Sequence, residues 1–450
     1  MFNKEQKIHF VGIGGSGMSG IAEVLLNLGH KVSGSDIKKT EITQHLKDLG
    51  AKIYIGHSAD NIKNIDVVVT STAISKDNPE VIQASKNKIP IIPRIEMLAE
   101  LARLKYAITV AGTHGKTTTT SLTSMVLDAG GLDPTIVIGG KLKNLKSSAR
   151  LGKGEYIVAE ADESDGSFLK LSPVITVVTN IDNDHLDYYG DMINLKEAFI
   201  KHINSVPFYG CAIVCTDNPL IKEILPKITR KYITYGFTGN PDITAIDISV
   251  TDGSIEFQVV YKGKKLGRIS LKVLGKHNIL NALAAIGVGL QFNIAFTSIK
   301  NALNNYAGVG RRMEIKGEKN GITVIDDYGH HPTEINATLS AIKYNWPKRK
   351  LVAIFQPHRY TRTKNLYKDF GAALKKADVV YVMDIYSAGE KSIDGVTSDL
   401  IVKSAIGNKC EVCKFDNIEN IVKTLKTGDI LLTIGAGNVW QQGEELLKLI

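Results

Sequence analysis

The sequence predicts an α/β protein built from three domains in series, and three observations carry that expectation. Its 450 residues exceed what one ordinary core encloses. Short apolar runs of strand length alternate with helix-length segments, the pattern of mostly parallel sheets. Glycine-bearing turns stand where several of these runs end, at Gly12–Gly17, Gly112–Gly115 and Gly435–Gly437. In open α/β sheets, ligands bind at such carboxyl ends of strands. The joints are expected near Lys105 and Val309, giving domains 1–105, 106–309 and 310–450.

The first domain opens with an apolar strand, Lys7 to Val11, running into Gly12-Ile-Gly14-Gly15-Ser16-Gly17-Met18 and then a helix pattern through Leu28. A second strand, Lys31 to Ser33, runs into Gly34-Ser35-Asp36. Glycines spaced this way place a pyrophosphate on a helix N-terminus, and the acid about 20 positions on suits a ribose hydroxyl. A nicotinamide dinucleotide and a UDP-linked substrate present the same pyrophosphate, so the turn alone suits either. A third strand, beginning at Asp66, carries Thr70, Ser71 and Thr72 at its carboxyl end.

The second domain begins at Tyr106, whose strand feeds Gly112-Thr113-His114-Gly115-Lys116-Thr117-Thr118. Such a loop aims backbone N–H groups at phosphate oxygens, adds a lysine charge and offers a hydroxyl to Mg²⁺, which reads as ATP binding. The general phosphate-loop spacing asks for a glycine where Val110 stands, so this is a shortened variant. The following helix is expected to end at Gly130-Gly131 on a glycine C-cap. A strand from Tyr156 then runs into Glu160, Asp162, Glu163 and Asp165, four acids in six residues. Such crowding calls for neutralising cations, and beside a triphosphate loop it reads as Mg²⁺ ligation; the plainer alternative is a solvated acidic turn. The next strand ends at Asn180-Ile-Asp182-Asn-Asp184-His185, where an imidazole among carboxylates could join a metal site. Residues 242–273 alternate apolar and polar side chains around two turns and read as a meander. Asn278 and Asn281 then share a helix face, with a capping role for Asn278 as the alternative to a nucleotide contact.

The third domain begins around Gly308-Val-Gly310-Arg311-Arg312. Its strands end in Asp326-Asp327-Tyr-Gly-His-His331, in Gln356-Pro-His358-Arg359-Tyr-Thr-Arg362 and in Gly435-Ala-Gly437-Asn438. Here Pro332 starts a helix, and arginine forks suit carboxylates.

Composition narrows the function. Hydrophobic content of 43% with 22% charged residues is that of a globular protein, and the net charge of +9 suits anionic ligands. The charge comes from scattered lysines, without a basic tract interleaved with aromatics, which speaks against nucleic acid. No apolar run reaches bilayer length and no leader with a basic start and apolar middle is present, so no membrane partner and a cytoplasmic location are expected. The oligomeric state is open. Four cysteines do not make a disulfide framework, and Cys410-x-x-Cys413 reads as part of a strand with no second pair nearby to complete a zinc site.

Taken in order, these motifs resemble the Mur ligase family, ATP-dependent amide-forming enzymes of peptidoglycan precursor synthesis. The resemblance rests on His9–Met18, Gly112–Thr117, Glu160–Asp165, Asn180–His185, His277-Asn278 with Asn281, Arg311-Arg312, Asp326–Pro332 and Gln356–Arg362, nearly the whole chain. Its first and last two segments point to the alanine-adding branch. It implies a Rossmann-like N-terminal domain, a central domain like phosphate-loop ATPases and a Rossmann-like C-terminal domain. It further implies ATP and Mg²⁺ as cofactors, with UDP-N-acetylmuramate and L-alanine as substrates.

Residue by residue, the resemblance assigns UDP to Gly14, Gly15, Ser16, Gly17 and Met18, with Ser35, Asp36 and Thr72 nearby. ATP falls to Gly112, Thr113, His114, Gly115, Lys116, Thr117 and Thr118, with Asn278, Asn281, Arg312 and Asp326 as further nucleotide contacts. Thr117, Glu160 and His185 match the metal positions. His331, His358, Arg359 and Arg362 match residues facing the reacting carboxylate and the amino acid; catalytic roles are expected of Lys116, Glu160, His185, His331, Arg359 and Arg362. Competing readings are a ligase that attaches a peptide or another amino acid to the same sugar nucleotide, a nicotinamide dehydrogenase, and a non-catalytic nucleotide-binding module.

Overall fold

The computed structural model describes residues 5–71, 73–139, 149–251, 254–405 and 410–450. They form two compact units. One comprises residues 1–248, 257–270 and 280–307, and the other residues 249–256, 271–279 and 308–450.

In the first unit, five strands make a parallel sheet: β1 (Lys7–Val11), β2 (Lys31–Asp36), β3 (Lys52–Ile55), β4 (Val67–Thr70) and β5 (Ile91–Pro93), in the order β3-β2-β1-β4-β5. The order reverses between β1 and β4, and a strand-order reversal opens a crevice at the carboxyl ends. Val11 leads directly into the glycine turn there, opposite Ser35 in the β2 register. β2 is longer than the expected Lys31 to Ser33 because Gly34, Ser35 and Asp36 continue its pairing, with β3 as well.

Most of a ten-stranded sheet falls in the same unit; its strands are β6 (Tyr106–Ala111), β7 (Thr135–Val137), β8 (Ala149–Arg150), β9 (Tyr156–Glu160), β10 (Ile175–Val178), β11 (Cys211–Cys215), β12 (Tyr232–Tyr235), β13 (Ile243–Thr251), β14 (Ser254–Tyr261) and β15 (Lys264–Leu271). β6 lies between β9 and β10 and is parallel to both, so its carboxyl end is flanked by those of its neighbours. The meander occupies one edge as β13-β14-β15. Lys262 and Gly263, both at positive φ, make its second turn; the first, at residues 252–253, lies outside the described residues.

The helix Lys116–Ala129 buries Thr117, Thr118, Thr119, Thr120 and Ser121, side chains of modest helix propensity, so packing rather than propensity holds it. Its glycine stop differs from expectation in one detail. Gly130 has φ −81° and Gly131, one residue later, takes the left-handed position at φ +78°.

The second unit contains β16 (Glu314–Lys319), β17 (Ile322–Asp327), β18 (Leu351–Phe355), β19 (Val379–Val382), β20 (Glu411–Lys414) and β21 (Ile430–Ile434), ordered β16-β17-β21-β18-β19-β20. All neighbours are parallel except β16, an antiparallel edge strand. Fully buried Val324, Ala353, Ile354, Leu431 and Leu432 fill the inner strands, as expected of a sheet covered on both faces. Cys413 sits in β20, and burial raises both thiols of its pair, Cys410 to about 11, which disfavours their free thiolates.

Candidate active site

The central loop is held from several sides. Gly112 has φ +126° and Gly115 φ +83°. A side chain at Gly112 would run into Thr179 Oγ1, and a Cβ at Gly115 would lie 2.7 Å from Asn281 Oδ1. The chain leaving β10 clamps His114: its N–H donates to Asn180 Oδ1 at 2.8 Å, and its carbonyl accepts from Thr179 Oγ1 at 2.6 Å and Asn180 Nδ2 at 3.0 Å. Asp182 N–H donates to Thr113 Oγ1 at 2.9 Å, while Asp182 Oδ2 lies 3.0 Å from His114 Nε2. Asn281 Oδ1 accepts from Thr119 Oγ1 at 3.0 Å. Held in this way, the loop presents the start of a helix whose first N–H groups have no intrahelical acceptor, an arrangement that suits an anion.

Lys116 folds back over this loop. Its Nζ donates to the carbonyls of Gly112 and Thr113 at 2.7 and 3.2 Å and to Glu163 Oε2 at 2.9 Å. Burial opposes the ammonium charge, but the carboxylates of Glu163, Asp162 and Glu160 outweigh it and hold the lysine above its usual pKa. Asp162 is partly exposed, and although desolvation opposes its charge, Lys116 and Arg94 pull it below the ordinary carboxylate range. Arg94 Nη2 lies 3.1 Å from Asp162 Oδ2. His185, at φ +60°, places Nε2 4.0 Å from Glu163 Oε1 and 3.6 Å from Asp184 Oδ2. Glu160 Oε1 accepts from Gly139 N–H at 2.8 Å. Glu163 thus bonds the ammonium directly, and Asp162 and Glu160 add negative charge around it. Negative charge in excess and oxygen donors suit a hard divalent cation.

At the first sheet, the N–H groups of Gly12 and Ile13 donate to the Ser35 carbonyl at 2.9 and 3.0 Å, and Gly14 N–H donates to Asp36 Oδ2 at 2.9 Å. Gly15 caps the helix Ser16–Asn27, and Met18 is buried in that helix. A Cβ at Gly17 would lie 2.5 Å from Arg94 Nη1, so this glycine makes room for a guanidinium. The same arginine therefore adjoins the glycine turn and the acidic cluster. Ser35, expected near the ligand, is fully buried with its hydroxyl donated to Glu80 Oε2 at 2.6 Å; it supports the turn from within the sheet. Thr72 and the Ser16 side chain lie outside the described residues.

In the second unit, Arg311 joins the ends of β17 and β21: Nε donates to Asp326 Oδ2 at 3.0 Å, Nη2 to the Gly435 carbonyl at 2.7 Å and Nη1 to the Gly437 carbonyl at 3.2 Å. Asp326, expected as a nucleotide contact, is buried in this pairing and also accepts from Thr433 Oγ1 at 2.7 Å. Arg312 lies over the Tyr328 ring at 5.2 Å, with Nη1 3.8 Å from Glu334 Oε1. Asn278, the third residue of the helix Lys276–Gln291, donates from Nδ2 to the Leu274 carbonyl at 2.7 Å, which is not the accepted N–H bond of the capping alternative. His331 caps the helix Pro332–Asn345 in a box with Glu334. His358 stacks on Tyr386 with centroids 5.7 Å apart, and Arg359 N–H donates to the Tyr386 carbonyl at 2.8 Å. Burial first, then His330, Arg362 and Arg359, depress the His358 imidazole to about 3, so it is neutral at physiological pH. Arg359 adopts φ +69° at the start of the helix Tyr360–Leu374, which carries Arg362 one turn further on.

Sequence reading had passed over Arg94 and Glu80, and had not separated Glu163 from its acidic neighbours. An Asn-Pro-Glu helix start at Asn78 was the available signal for Glu80; Arg94 carried none.

The sheets and the glycine loop define an α/β protein whose candidate site residues stand at the carboxyl ends of strands in three sheets. Three family models match it in succession: Mur ligase family, catalytic domain, over residues 7–106; Mur ligase middle domain over 110–289; and Mur ligase, glutamate ligase domain, over 311–437. The chain belongs to the Mur ligase family. It is 67% identical over 450 residues, all of both chains, to UDP-N-acetylmuramate--L-alanine ligase of Endomicrobium trichonymphae. It is 53% identical to the enzyme of that name from Geobacter sp. strain M21, covering 99% of this chain and 98% of the other. Among solved structures, it resembles UDP-N-acetylmuramate-alanine ligase MurC from Thermotoga maritima, with TM-score 0.85, 32% identity and 99% of each chain covered. A murein peptide ligase from Psychrobacter arcticus gives TM-score 0.74 at 26% identity over 98% of each chain. Among the described residues, no helix is long and apolar enough to cross a membrane.

Proposed function

We propose that this chain joins L-alanine to the carboxylate of UDP-N-acetylmuramate at the expense of ATP, giving UDP-N-acetylmuramoyl-L-alanine, ADP and phosphate for peptidoglycan precursor synthesis in the cytoplasm. The observation that carries the reading is the Lys116 ammonium, bonded to its own glycine loop and ringed by carboxylates. Full-length identity to ligases of that name supports the choice of substrates. Residues 1–105 would take the sugar nucleotide, 106–309 ATP and 310–450 the amino acid.

A carboxylate is a poor electrophile, so one of its oxygens first attacks the γ-phosphorus, the bond to the ADP oxygen breaks, and an acyl phosphate forms. Lys116 and the helix N–H groups orient the triphosphate and offset the charge that spreads over the transferred phosphoryl. Thr117, Glu160 and Glu163, with His185 beside them, would hold Mg²⁺, which supplies further charge neutralisation at the phosphoryl oxygens when bound. The alanine amine then attacks the acyl carbon, its extra proton is shed, and the bond to phosphate breaks. Arg359 and Arg362 offer forks that clamp a carboxylate bidentately.

The test is phosphate release with ATP, Mg²⁺ and UDP-N-acetylmuramate, adding amino acids singly, with mass spectrometry of the sugar nucleotide. Release that requires L-alanine, with the mass gain of one alanyl group, is expected. Dependence on a peptide donor would move the chain to another branch of the family.

A further inference from the structure

Glu80 is a fully buried carboxylate outside the phosphate loop and its acidic cluster. It stands at the start of the helix Pro79–Lys86, where Asn78 Oδ1 accepts its N–H at 2.9 Å and Pro79 fixes the first helical position. Its oxygens gather partners from several elements of the first sheet. Oε2 accepts from Ser35 Oγ at 2.6 Å and lies 2.9 Å from His57 Nδ1. Oε1 accepts from Asn61 Nδ2 at 2.6 Å and lies 3.4 Å from His9 Nε2. His9 in turn places Nδ1 2.9 Å from Ser33 Oγ.

A buried ion of this kind is rarely more stabilising than apolar side chains of the same volume. What it adds is directional geometry. His9 lies in β1, three residues before the glycine turn, and Ser33 and Ser35 lie in β2. The Ser35 carbonyl receives the N–H groups of Gly12 and Ile13, and neighbouring Asp36 receives that of Gly14. One carboxylate thus fixes the side chain of the residue whose main chain shapes the turn. Although burial disfavours its charge, the bonds from His9, Ser35, Asn61 and His57 keep Glu80 ionised, at about 2.

We infer that Glu80 is a positioning residue for the sugar-nucleotide site, holding the Gly12–Gly17 turn through Ser35 in the conformation that receives a pyrophosphate. The inference rests on the reading of that turn as the UDP site. It gives the carboxylate a role in substrate affinity as well as in the core.

The test is steady-state kinetics of the full chain and two variants, varying each substrate in turn. Glu80→Gln is expected to raise the KM for UDP-N-acetylmuramate about ten-fold, the size of one lost charge-assisted hydrogen bond. Its kcat and the KM values for ATP and L-alanine should stay within about two-fold. Ser35→Ala cuts the link to the turn while sparing the other Glu80 partners, and should show the same selectivity with a rise of about five-fold. It keeps the test available if Glu80→Gln does not fold. A UDP-N-acetylmuramate KM unchanged in a folded variant, or an equal rise for all three substrates, overturns the inference while leaving the function intact. A wild-type chain that turns over nothing with UDP-N-acetylmuramate overturns the functional reading, and the inference with it.

Discussion

Lys116 Nζ lies 2.9 Å from Glu163 Oε2 and 2.7 Å from the Gly112 carbonyl, so one ammonium ties the acidic cluster to the phosphate loop. Both side chains are largely withdrawn from water, at 17% and 1% exposure. Lys116→Ala is expected to abolish ATP-dependent phosphate release. It also leaves the Glu163 carboxylate buried without its cation, at a cost of about 3 kcal/mol in unfolding free energy. Denaturant unfolding checks the second effect and phosphate release the first; near-normal turnover in a folded variant would sink the assigned role.

His185 Nε2 stands 4.0 Å from Glu163 Oε1 at the edge of the carboxylate group. His185→Ala should raise the Mg²⁺ concentration for half-maximal activity about ten-fold, the scale of losing one group from a metal's surroundings. An unchanged Mg²⁺ titration would argue that the imidazole serves only the local backbone turn at φ +60°.

Arg362 sits on the helix Tyr360–Leu374, one turn beyond Arg359. Arg362→Lys keeps the charge but loses the planar fork. The KM for L-alanine should rise about ten-fold with the ATP KM unchanged. Equal changes in both constants would remove this residue from the amino-acid site.

His202 is fully buried, stacked on Phe168 at 4.8 Å, with Nε2 3.0 Å from Thr176 Oγ1 and 3.3 Å from Thr109 Oγ1. Burial depresses its pKa from 6.5 to about 4. The unfolded chain therefore binds the proton more tightly than the folded one. This contribution to stability is present above pH 6.5 and is lost as pH falls through 4, roughly 3 kcal/mol in all. His202→Gln should flatten the acid side of the stability curve over that window, measured by denaturant unfolding at stepped pH. A slope equal to that of the wild type would show that other groups carry the acid response.

The strand ends bearing the candidate residues were legible because they follow from local rules. An apolar run, a glycine that must take positive φ and a helix start form one short stretch, as at Val110–Thr117. The same locality made the parallel sheets and the Cys410–Cys413 strand readable. Three acids within four residues, Glu160 to Glu163, were also plain. Which of them meets Lys116 was not, because β9 ends at Glu160 and no periodicity governs the turn that follows.

Residue types and their spacing by themselves determined the α/β class, the phosphate loop and the acids available to a cation, since each depends on a few neighbouring residues. Tertiary structure alone decided the partnerships. Lys116 meets Glu163 across 47 residues, Arg94 meets Asp162 across 68, and Ser35 turns inward to Glu80 across 45. A side chain's chemistry states what it can bond. Only the packing of strands and helices brings distant groups within hydrogen-bonding distance and decides whether water or a buried carboxylate meets a hydroxyl such as that of Ser35.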